Sequence, residues 1–414
     1  MTTKFTVESL VAEDGERFLV MLEDGLPAWY QNLYYSTERR INTYAANTVL
    51  REAYNIQMLH SWAHEVGVCL ESRFAKGQYF NVAEMDSLVA YCLVRRSKKP
   101  KVSNVVKYGQ QKKRLSQDSC VEASTANLRI KQIAYYIDWW TLEANMSLAT
   151  EERRIREKER WEMLRKLKKR APRPSRDNVS NFSKTLPPEV MDVIFKTVDP
   201  NSERNPWKHR VVRVRNHLIL MMFATLGIRK GELLGLKLSD LNLPESSLYI
   251  LKNPDDSTDP RIREPNAKTF SRELKVTGNL SRHLQDCMAH RRKIKGAGKH
   301  SFLFISLFGP SKGQPLSIAA VNKIISDLKG AHPEVIHNIS AHSFRHTYFT
   351  GYARHLKSSG KTPVEIKQRL DETGGWMGTH MTSAHYTQQF IIEQAHESQV
   401  EYQEGLGFLA GEKD

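Results

Sequence analysis

From about Thr43 the apolar positions recur at helical spacing. Val49, Ala53, Ile56, Leu59 and Trp62 fall three or four residues apart, so one helix face is apolar and has to be buried. Gly67 marks the end of that run. A second amphipathic run spans Val82 to Leu93, and a third helix is expected from about Ser119 to Thr141, closing on Ile137-Asp138-Trp139-Trp140. A further helical series follows, over Pro187–Val198 and Val211–Leu226, with a new start at Arg229. It continues near Leu280–Lys293, Ile318–Leu328, His342–Lys357 and Pro363–Asp371. Leu248-Tyr249-Ile250-Leu251 and Arg272–Val276 have strand character. The pattern therefore predicts a mainly α protein with a small antiparallel β-sheet, and it shows no internal repeat.

Breaks in this pattern divide the chain. Residues 1–30 read as a leader whose short alternation, Phe18-Leu19-Val20-Met21-Leu22, suits a hairpin. Residues 31–150 form a helical domain, interrupted by a basic stretch from Arg95 to Lys101 and on to Lys112-Lys113-Arg114, where Pro100 and Gly109 favour a loop. Residues 151–178 read as a charged helix and linker. The helix is acidic early and basic late, as the helix dipole favours, and Pro172 and Pro174 end it. It is either a solvated helix with i,i+4 ion pairs or a DNA-facing connector. A second globular domain spans 179–390. A tail, 391–414, carries Val400, Leu406, Phe408 and Leu409 among acidic residues.

Charge narrows the partner. The 414 residues carry a formal net charge of +16, and such a chain attracts polyanions, of which duplex DNA, with a charge every ~1.7 Å, is the strongest common one. Cys69, Cys92, Cys120 and Cys287 are scattered without metal-ligand spacing, which argues against a zinc module or a disulfide framework. The start of the chain lacks a basic region followed by an apolar run, and no stretch reaches the ~18 apolar residues of a membrane span. A cytoplasmic, nucleoid-associated protein is expected, with no membrane partner.

Three segments carry candidate chemistry. In ATLGIRKGELLGLKLSDLN, residues 224–242, an apolar helix runs into Gly227 and Arg229 opens a new turn, with Glu232 three residues on. That glutamate can reach back to free backbone N–H groups or orient the arginine. An arginine held rigidly there can grip a phosphate through its planar fork, although an arginine at a helix start is ordinarily structural. In ISAHSFRHTYFTGYARHLKSSG, residues 339–360, His342 and Arg345 lie at i,i+3 near a helix N-terminus, a place that favours anions. His346 and Tyr348 are expected to point elsewhere. In LDETGGWMGTHMTSAHYTQQF, residues 370–390, Gly374 and Gly375 break a helix before Trp376, His380 and Tyr386. Taken singly, a tyrosine so placed is ordinarily a packing residue.

The ordered set Arg229-x-x-Glu232, His342-x-x-Arg345, Gly375-Trp376 and Tyr386 resembles the tyrosine recombinase family, the phage integrases and their relatives. The motif resemblance covers roughly 180–390. More loosely, TYAANTVLREAYNIQMLHSW and STANLRIKQIAYYIDWW look like the two characteristic helices of that family's N-terminal core-binding domain. The resemblance implies a helical core-binding domain followed by an α+β catalytic domain. It makes Arg229 and Arg345 the phosphate-binding arginines, His342 the histidine of the second box, and Tyr386 the nucleophile. It also implies a lysine on a β-hairpin after the first arginine. In NAKTFSRELKV, Lys268 matches best and Lys275 is the alternative. Glu232 takes a supporting role. The family usually has His or Trp nine residues before the tyrosine, where this chain has Met377. Trp376, ten before, fits with a one-residue insertion, and His380, six before, is the other candidate.

These residue types suit attack on a DNA phosphodiester. The pentacoordinate state gains negative charge, which two arginines stabilise without titrating near neutral pH. No metal or cofactor is then expected. Tyrosine, with a pKa of ~10, needs a proton acceptor, for which His342 is the candidate, and Lys268 is the candidate donor to the departing 5′ oxygen. A covalent 3′-phosphotyrosyl intermediate would conserve the bond energy, so strands could rejoin without ATP. The expectation is a site-specific recombinase of the integrase or transposase type, serving DNA integration or transposition of a mobile element. A telomere resolvase or type IB topoisomerase-like enzyme would use the same residues, and a non-catalytic DNA-binding regulator on this scaffold is the non-enzymatic alternative. Expected partners are double-stranded DNA, closed on by two basic domains as a clamp, and further copies of the chain. The resemblance implies a tetramer of two dimers on DNA, tails docking between neighbours, with possible accessory DNA-bending proteins.

Overall fold

The computed structural model describes residues 4–41, 44–95, 119–173, 185–336, 339–376 and 398–404. The chain falls into two compact units, Met1–Arg176 and Asp177–Asp414.

In the first unit, β1 (Phe5–Val11) and β2 (Arg17–Glu23) pair antiparallel, from Phe5 opposite Glu23 to Val11 opposite Arg17. A two-residue β3 (Leu26–Pro27) extends the sheet. Alternation along β2 turns Leu19 and Met21 inward, as a pleated strand requires. They join the same apolar core as Val49, Ala53, Ile56, Leu59 and Trp62 of α2, the helix Ala46–Glu65 that follows α1 (Trp29–Tyr34). The stretch set apart by sequence as a leader is therefore built into the helical unit, and the alternation that suits a hairpin is one of its strands.

The rest of this unit is helical: α3 (Leu70–Ala75), α4 (Val82–Leu93), α5 (Ala123–Asn145) and α6 (Thr150–Arg170). Asn81 and Glu84 form a reciprocal capping box at the start of α4. An isolated bridge between Val94 and Cys120 precedes α5, so that helix begins four residues later than its apolar pattern suggests. The charged α6 is not wholly solvated. Met163, Leu164 and Leu167 enter the first unit's core, while Arg153–Glu157 and Glu152–Arg156 pair along its surface. Arg170 also pairs with Asp86 of α4 at 2.7 Å. The sequence boundaries at 30 and 150 thus run through one packed unit. The basic stretch after Arg95, expected to form a loop, lies outside the described residues.

The second unit holds α7 (Pro188–Val198), α8 (Arg210–Leu226), α9 (Lys230–Gly235), α10 (Gly278–Arg292), α11 (Ile318–Ala331), α12 (Ala341–Ser358) and α13 (Pro363–Gly374). Its small sheet is β4 (Leu241–Asn242), β5 (Ser247–Ile250) and β6 (Arg272–Lys275), all antiparallel in that order. The β5–β6 register runs from Ser247 opposite Lys275 to Ile250 opposite Arg272. Leu218, Ile219, Leu220, Met222 and Phe223 of α8 are all buried. A helical stretch apolar on every side belongs in a core, and α8 packs against both α10 and α12. Among the described residues no helix is long and apolar enough to cross a membrane.

Candidate active site

The buried α8 ends on Gly227, whose φ of +58° is left-handed, a conformation that costs little only for glycine. The turn it makes places Arg229 as the N-cap of α9. Glu232 folds back over that start. The Arg229 backbone N–H donates to Glu232 Oε2 at 2.9 Å, and Arg229 Nη1 donates to Oε1 at 3.2 Å. This is the one-turn reach expected from the Arg-x-x-Glu spacing.

The second box opens α12. Ser340 caps the helix, its hydroxyl accepting from the Ser343 backbone N–H at 3.1 Å. One turn in, Arg345 is almost fully buried, at 1 % exposure. Its Nη1 donates to the Gly227 carbonyl at 2.5 Å and its Nη2 to the Gly374 carbonyl at 3.1 Å. The guanidinium also lies over the rings of Phe349 and Trp376, 4.6 and 4.8 Å from their centroids. His342 sits on the same helix, its Nε2 2.9 Å from Nε2 of His346. This contact departs from the expectation that His346 points elsewhere. At i,i+4 it shares a face with His342, so the two imidazoles meet edge to face. Tyr348 packs against Gly227, where an added Cβ would come within 2.3 Å of its ring.

Arg229, Lys268, His342 and Arg345, from three separate stretches of chain, line one open cleft of about 510 Å³. Lys230 from α9 and Lys329 from α11 line it too, and its described lining includes five Lys or Arg side chains and no carboxylate. Such a wall attracts an anion. Lys268 lies in the loop before β6, within this lining. Lys275, at the far end of β6, does not line the cleft and pairs with the exposed Glu273 at 2.6 Å. Trp376 is buried and also lies outside the lining; it packs on Phe349 at 4.7 Å between ring centroids, beneath Arg345. Tyr386, His380 and Met377 lie outside the described residues.

Behind the cleft wall Glu232 is the centre of a buried ion network. Arg272 Nη2 donates to its Oε2 at 2.8 Å and the Thr269 hydroxyl to its Oε1 at 2.5 Å, while Arg345 Nη1 stands 4.0 Å from Oε2. Burial alone would push this carboxyl up. The charge and hydrogen bond of Arg272, with Arg345 and Thr269, outweigh that and hold it at about 2. Arg272, Lys230, Lys329 and His346 are the site residues that motif reading missed. For Arg272 a signal existed: in β6 it shares the inward face with Leu274, while Glu273 and Lys275 face out. A charged residue on the buried side of a strand needs a buried partner.

No curated protein matches the chain. Among solved structures, the Tn1549 transposon integrase in complex with transposon right end DNA is 14% identical, with a TM-score of 0.48 over 90% of this chain and 99% of that one. The XerH site-specific recombinase bound to palindromic difH substrate, in a post-cleavage complex, is 13% identical, with a TM-score of 0.41 over 90% and 94%. An integrase from mycobacterium phage Brujita is 12% identical, with a TM-score of 0.27 over 87% and 95%. The phage integrase family model matches residues 185–391, which is half of the chain and spans every position from Arg229 to Tyr386, and the chain belongs to the phage integrase family.

Proposed function

We propose that this site-specific recombinase cuts and rejoins double-stranded DNA at the cleft between α9, the Lys268 loop and α12, with Tyr386 as nucleophile. The observation that carries the reading is the meeting of Arg229, Lys268, His342 and Arg345 on one cleft wall whose described lining holds no carboxylate. Arg229 and Arg345 hold the nonbridging oxygens of the scissile phosphate and take up the charge that grows in the pentacoordinate state. Tyr386 Oη attacks phosphorus and gives its proton to His342. The bond from phosphorus to the 5′ oxygen breaks, and Lys268 supplies the proton to that oxygen. A second 5′-hydroxyl then attacks the 3′-phosphotyrosyl bond by the reverse steps, which reseals the strand and frees the tyrosine. Trp376 acts through Arg345, whose guanidinium it underlies. His380 is kept as the alternative occupant of the third box. On DNA the active assembly is a tetramer of two dimers.

The test is covalent trapping. Incubation with a pool of randomised duplexes, each nicked so that the cleaved end diffuses away, should yield a protein–DNA adduct, and the trapped DNA discloses the site. Tyr386→Phe should give none. An adduct from Tyr386→Phe, or none from the wild type, would sink the assignment. With the recovered site in hand, exchange between two labelled duplexes supports recombination, whereas hairpin ends or relaxation alone would mark a resolvase or topoisomerase-like outcome.

A further inference from the structure

We infer that Arg272 is a positioning residue whose charge balances Glu232 inside the fold, leaving Arg229 and Arg345 their positive charge for the DNA phosphate. The inference rests on the reading of the cleft given above. Arg272 is buried and is not part of the cleft lining. All three of its guanidinium nitrogens are spent inward. Nη2 donates to Glu232 Oε2 at 2.8 Å, Nη1 to the Thr269 hydroxyl at 3.1 Å, and Nε to the Thr373 carbonyl at 2.8 Å.

The Glu232 side chain is wholly shielded from solvent, so its charge has to be met by protein. Three described guanidiniums surround it, Arg272 at 2.8 Å, Arg229 at 3.2 Å and Arg345 at 4.0 Å. Only the last two face the cleft. A buried carboxylate that loses its nearest cation draws on the next one, and for Oε2 that is Arg345. Without Arg272, the guanidinium meant for the phosphate would be pulled back to neutralise Glu232. Arg272 also joins three pieces of chain. It binds Thr269 beside Lys268, Glu232 on α9, and the Thr373 carbonyl in the last turn of α13, next to which the Phe270 backbone N–H donates to the Gly375 carbonyl at 3.1 Å. The Lys268 loop and the turn entering Trp376 are thereby tied together.

The test is a charge-compensation cycle, read as the rate of adduct formation at saturating protein on the nicked duplex recovered with the wild type. Arg272→Met is expected to slow the step at least about 30-fold while duplex affinity changes less than about threefold. Adding Glu232→Gln removes the unmet charge, and the double variant should return to within about threefold of Glu232→Gln alone. A double variant no faster than Arg272→Met would overturn the inference. Arg272→Lys keeps the charge without the fork and should retain more than about a tenth of the wild-type rate. A folded Arg272→Lys as slow as Arg272→Met, or slower than that tenth where Arg272→Met does not fold, would also overturn it. Absence of any wild-type adduct brings down the cleft reading itself; a wild-type adduct without compensation brings down the role of Arg272 alone.

Discussion

Arg345 donates through Nη1 to the carbonyl oxygen of Gly227, at 2.5 Å and across 118 residues of chain. The bond fastens the second motif helix to the turn that presents Arg229, so the two arginines are held at a spacing that neither motif sets alone.

That turn tolerates no side chain. Gly227→Ala would place a Cβ at left-handed φ and against the Tyr348 ring. The expected loss is about 2–4 kcal/mol, from the backbone conformation and the overpacking together. Urea unfolding measures it, and Tyr348→Ala in the same chain should recover the packing part. A Gly227→Ala protein as stable as wild type would contradict the turn as described.

Lys268 and Lys275 are separable by leaving-group chemistry. Lys268→Ala should slow strand cleavage by about 10²–10³-fold if it supplies the proton to the 5′ oxygen. A substrate with sulfur in place of that oxygen needs no such proton and should restore the rate. Lys275→Ala breaks an exposed pair with Glu273 and should stay within about twofold of wild type. The reverse ranking would move the assignment to Lys275.

Trp376 underlies Arg345 without lining the cleft. Trp376→Ala should cost about 3–5 kcal/mol of stability as a large core truncation. Well below its melting temperature it should also slow cleavage by about 30-fold, through loss of a desolvated cation–π contact of about 2 kcal/mol. Trp376→Phe keeps a ring under the guanidinium and should recover most of the rate. Equal rates for the Ala and Phe variants would show that the ring does not act through Arg345.

Glu232 makes the second unit acid-sensitive in a defined window. Its carboxyl sits at about 2 in the fold, against ~4.3 for an unperturbed glutamate. Because the folded value is the lower one, the group's contribution is complete above about pH 4.5 and is lost as pH falls through about 2, worth on the order of 3 kcal/mol. Denaturation midpoints measured from pH 6 to pH 3 should fall more steeply in wild type than in Glu232→Gln. Parallel curves would mean that the carboxylate is not held low.

Much of the fold was legible because helix patterns are local. The apolar spacing in α2, α4 and α8, and the breaks at Gly227 and Gly375, depend on neighbours within a turn or two. The Arg229–Glu232 reach is one helical turn, so its spacing alone implied it. The His342–His346 contact lay equally within reach, since i,i+4 residues share a helix face. By contrast, the short α1 and α3 carry too few residues to show a period, and β1 owes its place to pairing with β2.

By itself, the sequence determined the helical periods, the caps, the basic balance and the order of the motifs, all properties of neighbouring residues. Only the tertiary structure decided which lysine lines the cleft, that β1, β2 and α6 belong to the first unit's core, and that Arg272 answers Glu232 from 40 residues away. Those outcomes depend on how helices and strands pack across long stretches of chain. A periodicity says which face is buried; it does not say what that face will meet.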